Sequence, residues 1–136
     1  MERFLGRYSP YIYALFRIVF GLMFVMHGTQ KFFNVPASKN GPMELAGLML
    51  VGAAIETVCG LMILTGFFAS IGAFIASGMM ATAYFMVHHP MSWFPIQSGG
   101  ELAVAYCFAF LYIASRGSGV LSVDSLIRGS GGSVET

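Results

Sequence analysis

Long apolar runs separated by short polar breaks set the pattern of this chain. The first run follows a basic lead-in with Arg3 and Arg7 and predicts a helix over 10–33. Pro10 falls in its first turn, where a missing N–H sacrifices no helical hydrogen bond. Pro36, Asn40, Gly41 and Pro42 mark a loop over 34–42 by their turn chemistry. A second helix is predicted over 43–65 and a third over 67–87, joined in a tight hairpin around Gly66. His88-His89-Pro90 ends the third, and a loop carrying Trp93, Phe94 and Pro95 leads to a fourth helix over 101–115. Residues 129–136, rich in Gly and Ser, read as a flexible tail.

Two of these helices carry charge inside the apolar run. At roughly 100° per residue, Arg17, Gly21, Phe24, Gly28 and Lys31 share a sector of about 80° on the first helix, with His27 at its border. Ile18, Val19, Leu22, Met23 and Val25 cover the remainder as a lipid-facing or packed surface. On the second helix, Gly52-xxx-Glu56-xxx-Gly60 sets a carboxylate between two glycines that let a neighbouring backbone approach. An ionisable residue in hydrocarbon needs a partner, a water-filled cavity or a route to the headgroups, which makes it a functional candidate. Counted along the axes, Arg17 lies ~21 Å inward of Lys31 and Glu56 ~18 Å inward of Glu44. The expectation is therefore a buried Arg17–Glu56 ion pair locking the first two helices together.

Composition decides the solvent. Of 136 residues, 57% are hydrophobic and 10% charged, against about a quarter charged in soluble domains. A transmembrane helix takes roughly 20 apolar residues, so the chain has room for four. The expected fold is all-α: a polytopic membrane protein with four transmembrane helices in an antiparallel bundle, forming one domain over 1–128. Because Arg17 interrupts the first run and no small-residue cleavage site follows, that run reads as a retained span and not a signal peptide. A net charge of +1 without a basic stripe argues against nucleic acid as a partner.

The basic residues set the orientation. Arg3, Arg7, Arg116 and Arg128 fall on one side and Lys31 and Lys39 on the other, which predicts cytoplasmic termini. His27, Gln30, Lys31, Glu44, His88, His89 and Glu101 then gather at the outer end of the bundle, supplied by four helix ends. His27, Lys31, Glu44, His88 and Glu101 are the candidates for binding a ligand headgroup. The competing reading makes them interfacial side chains that reach outward to water. Gly99-Gly100 before Glu101 reads as a turn opening the fourth helix, with the carboxylate favoured by the helix dipole. Adjacent His88 and His89 point to different helix faces, so no metal site is expected, and no haem spacing or nucleotide motif is seen. Cys59 and Cys107 form no CxxC pair, and a depth difference of ~13 Å argues against a disulfide between them.

The sequence also resembles a known family. Arg17-xxx-Gly21, His27-Gly28-xx-Lys31-Phe32, Glu56-xxx-Gly60, Phe94-Pro95-xxx-Gly99-Gly100-Glu101, Tyr106, Phe110-Leu-Tyr112 and Gly117-Ser-Gly119-xx-Ser122-Val-Asp124 follow in an order and spacing similar to the DoxX family. The resemblance covers about 10–128. It implies a four-helix bundle in a prokaryotic cytoplasmic membrane. Some relatives are linked to quinone-reducing sulfur oxidation and others to a membrane complex defending against oxidative and thiol stress.

Two function classes follow. One is a redox-associated membrane subunit, whose outer cavity, with a His/Lys/Glu rim and an aromatic lining, holds a quinone headgroup. Because the chain carries no redox motif of its own, that role calls for a quinone or a soluble or membrane oxidoreductase partner to carry the electrons. The other is a non-enzymatic protein that binds a lipid or small hydrophobic molecule, or anchors a soluble enzyme. Beyond the bilayer, small residues on the third helix leave a homo-oligomer open.

Overall fold

A computed structural model of the chain describes residues 1–39, 41, 44–90 and 92–129. The expected loop residues Asn40 and Pro42, the expected helix start at Met43 and the tail beyond Gly129 lie outside the described residues. Every regular element among the described residues is helical. Helix α1 is Ser9–Phe33, α2 Leu48–Thr65, α3 Ala69–Ala83, α4 Glu101–Arg116 and α5 Val123–Gly129. Short turns of helix cover Glu2–Leu5 and Pro95–Ser98, and α3 continues into a π-turn at Tyr84–His88.

The second helix starts five residues later than its hydrophobicity suggests. Gly47 precedes Leu48 with φ +57 and ψ −128, a conformation open to glycine and costly for a residue with a Cβ. At the other end, Gly66 closes α2 at φ +72, with its N–H and that of Phe67 both directed to the Met62 carbonyl. A Cβ on Gly66 would also strike Ser122 and lie 2.8 Å from Arg17 Nη1.

Helices adjacent in the chain pack against one another. Along α1 and α2, Gly21 meets the backbone of Leu64, Val25 meets Gly60, and Gly28 meets Thr57. The small residues of α3 do likewise: Gly72 seats Met62 of α2, and the Ser77 hydroxyl donates to the Cys107 carbonyl of α4 at 2.8 Å. Between α1 and α4 the backbones seldom approach. Aromatic rings fill that seam, from Phe24 on Phe110 at 4.7 Å between centroids to Phe20 on Phe110 at 6.5 Å.

The outward faces are apolar. Leu15 and Val19 of α1, Val58 and Leu61 of α2, Phe74 of α3 and Phe108 of α4 are all exposed. In water a continuous apolar exterior of this kind invites association, whereas in a bilayer it is the lipid face. Three stretches among the described residues are long and apolar enough to cross a membrane: Glu2–Phe33, Leu48–Thr65 and Ala69–His88. With 16 residues, α4 is shorter, about 24 Å at 1.5 Å per residue.

Arg17 is the largest fully buried side chain among the described residues, and its partners correct the sequence-based expectation. It does not pair with Glu56. Nη1 donates to the carbonyls of Ile63 at 2.7 Å and Leu64 at 3.0 Å, and Nη2 to Leu121 at 2.7 Å and Val120 at 3.4 Å. The carbonyls of the last turn of α2 have no intrahelical donor, and the guanidinium supplies one. The expected pair rested on Glu44 heading the second helix, but Glu44 precedes it. Glu56 therefore lies only two turns inside α2, level with the Lys31 end of α1, which is the outer end in the orientation expected from the basic residues, while Arg17 faces the Gly66 turn, the inner end in that orientation, roughly 16 Å away.

The 117–124 segment completes this inner knot. Tyr13 OH donates to the Gly117 carbonyl at 2.6 Å, and Asp124 Oδ2 accepts from Ser118 Oγ at 2.7 Å and from Phe68 N–H at 3.0 Å. Asp124 N–H in turn donates to the Gly66 carbonyl at 3.1 Å. Arg17→Lys keeps the charge but replaces a planar fork spanning two chain segments with a point donor. It should lower thermal stability in detergent by about 2 kcal/mol or more. Wild-type unfolding in this variant would remove the guanidinium knot as the lock of the inner end.

Candidate functional site

The charged residue that α2 brings to the outer end is Glu56, and α1 meets it with Lys31. Gly28, one turn before Lys31, lets the two backbones approach at Thr57, so the side chains of Lys31 and Glu56 converge. Lys31 Nζ and Glu56 Oε1 lie 2.7 Å apart, with the side chains 21% and 5% exposed. Glu56 Oε2 has no hydrogen-bond partner among the described residues.

This pair heads a cleft of about 480 Å³ between α2 and α3. Its walls are Leu48, Met49, Val51, Gly52 and Ile55 of α2 and Ile75, Met79, Met80, Thr82 and Ala83 of α3, with Met86 and Val87 from the π-turn. Gly52 was expected to seat a neighbouring backbone. A Cβ there would meet nothing within 4 Å, so Gly52 instead leaves room in the cleft.

A second, smaller hollow of about 250 Å³ opens where α1 meets α4, lined by Met23, Met26, His27, Gln30, Pro36 and Tyr106. The His27 ring stands edge-on to Tyr106 at 5.8 Å between centroids, and Tyr106 stacks on Phe110 at 5.3 Å. The Tyr106 hydroxyl is buried without a hydrogen-bond partner among the described residues. Aromatic lining is thus found on the His27 side, while the Lys31–Glu56 cleft is aliphatic.

The other candidates stand apart. Glu44 and Glu101 are exposed, the first in the segment before α2 and the second in the opening turn of α4. His88 Nδ1 lies 3.2 Å from the Ser98 carbonyl, and its Cβ sits against Gly100. His89 packs its ring edge-on to Trp93 at 4.2 Å. No group of three His, Cys, Asp or Glu residues that could hold a metal ion occurs among the described residues. Cys59 and Cys107 are both free.

Of the residues singled out from sequence, the structure joins Lys31 with Glu56 and places His27 beside them across α1. Glu44, His88 and Glu101 are not joined to that pair. Sequence reasoning missed Tyr106 and the methionines of α3 as site residues. Tyr106 had a signal, since it falls on the same helical face as Phe110 and Ile113, whereas Met79 and Met86 carry none beyond their hydrophobicity.

The DoxX family model matches residues 12–89 of the chain. An uncharacterized protein of Haemophilus influenzae is 40% identical over 126 residues, covering 89% of this chain and 94% of that protein. No solved structure matches the chain significantly.

The geometry predicts which charges are coupled. Lys31→Met and Glu56→Gln should each destabilise the protein, and the double variant should recover part of the loss, because each single change strands a buried charge or its partner. Arg17→Leu combined with Glu56→Gln should give additive losses in thermal stability. Non-additivity of about 1 kcal/mol or more between Arg17 and Glu56 would contradict the assignment of their partners.

Proposed function

Because this chain belongs to the DoxX family of membrane proteins, we propose that it is a redox-associated membrane subunit that binds a quinone at the outer end of a four-helix antiparallel bundle. The observation that carries this reading is the Lys31–Glu56 pair at the head of the cleft between α2 and α3. An ion pair at the end of an otherwise apolar cleft suits a lipophilic molecule with a polar head. Lys31 Nζ has N–H groups beyond the one given to Glu56, and the aliphatic walls accept an isoprenoid tail. His27 and Gln30, in the hollow on the other side of α1, border water and provide groups through which protons reach the site. Electrons would come from an oxidoreductase partner, in oxidative or thiol stress defence or in sulfur-compound oxidation.

In this reading α4 is the fourth span, seated beside α3, and the protein lies in the prokaryotic cytoplasmic membrane with both termini inside. Arg7, Arg116 and Arg128 at the inner end, against Lys31 and Lys39 at the outer, support that orientation. A reporter fused after Arg128 should read cytoplasmic and one inserted at Lys39 external. The opposite result would invert the bundle and remove the outer site.

One observation favours a second reading. No ring lines the cleft beside Lys31, so a quinone head would find no aromatic to stack on, whereas an acyl chain needs none. The protein would then be a non-enzymatic lipid binder or a membrane scaffold for a soluble enzyme. Absorption spectra and extracted-lipid analysis of the purified protein separate the two. Co-purified quinone, lost in Lys31→Met while the protein stays folded, is the expected outcome. Retention unchanged in Lys31→Met would return Lys31 to an interfacial role.

A further inference from the structure

The head of the cleft is not symmetric in its hydrogen-bonding chemistry. Glu56 Oε1 is engaged by Lys31 at 2.7 Å, whereas Oε2 is buried and has no donor among the described residues. A carboxylate oxygen in a low-dielectric site is costly to leave unmatched. The Tyr106 hydroxyl is likewise buried and makes no hydrogen bond among the described residues. Lys31 is a donor with N–H groups to spare, and Glu56 when ionised only accepts. The ion pair at the head of the cleft thus combines spare N–H groups on Lys31 with one unmatched, buried acceptor oxygen on Glu56.

We infer that the cleft selects a lipophile with a hydroxyl head, and therefore the reduced, quinol form of its ligand over the quinone. A hydroxyl donates to Glu56 Oε2 while its oxygen accepts from Lys31. A quinone carbonyl accepts only, so it meets Lys31 and leaves Oε2 unmatched. No bond is made or broken in this selection. It rests on the reading of the cleft as a quinone site, and the hydroxyl chemistry is shared with membrane lipids such as diacylglycerol, so the two sources must be told apart.

The test is equilibrium binding to the full chain in nanodiscs, using a short-tailed benzoquinol kept reduced under anaerobic conditions, the matching benzoquinone, and a short-chain diacylglycerol. The quinol should bind about tenfold or more tightly than the quinone, the ratio that one hydrogen bond to a charged group supplies. Glu56→Gln, whose amide also donates, should bring the two within about threefold. Equal binding of quinol and quinone to the wild type would overturn the selection, as expected if Oε2 and Tyr106 share an internal water, yet would leave the quinone reading standing. Diacylglycerol bound in preference to both benzoquinoid probes would overturn the quinone reading and keep the hydroxyl selection. Binding of none of the three would overturn both. If Glu56→Gln does not accumulate, the wild-type comparison alone decides.

Discussion

Arg17 holds the inner end of the molecule together. A guanidinium with no solvent contact is costly in a membrane-embedded core unless its N–H groups meet acceptors, and here four backbone carbonyls from two chain segments serve both terminal nitrogens, while Nε has no partner among the described residues. Those carbonyls are available because α2 ends at Thr65 and because the chain after α4 doubles back over the Gly66 turn. The arginine and the helix terminus solve each other's problem: a buried cation with no salt bridge among the described residues, and orphan carbonyls without donors. Tyr13, Ser118 and Asp124 extend the arrangement, so that α1, the α2–α3 turn and the 117–124 segment form one polar knot.

With the inner end locked, the outer end has room to be a site. The glycines of α1 bring it close to α2 along the whole contact, and Lys31 reaches Glu56 as the last consequence of that register. Across α1, the seam with α4 is filled by rings because the backbones stand apart. The same rings carry Tyr106 against His27. Two hollows of different character result, one aliphatic and headed by an ion pair, the other aromatic and bordered by His27 and Gln30.

The two buried charges of opposite sign therefore serve different ends of the protein. Arg17 is consumed by structure, with partners for both terminal nitrogens. Glu56 is half-engaged, with Oε1 on Lys31 and Oε2 without a partner among the described residues.

The sequence by itself determined the helical class, the membrane as solvent, and the buried face of the first helix. Each depends on local composition or on a period along one element: Tyr13, Arg17, Gly21, Phe24 and Gly28 are buried as a 3.6-residue period requires. It also marked Lys31, Glu56 and His27 as residues that needed an explanation. It did not determine who meets whom. Depth counted from assumed helix ends placed Arg17 opposite Glu56, and the error entered at Gly47, whose positive φ delays the second helix to Leu48 and lowers Glu56 by more than a turn relative to expectation. Helix register is set by where glycines admit a neighbouring backbone, and a cleft by where side chains from different helices fail to fill space. Both are properties of pairs of elements, so only the tertiary structure decided that Lys31 is the partner of Glu56 and that Arg17 belongs to the carbonyls of the inner turn.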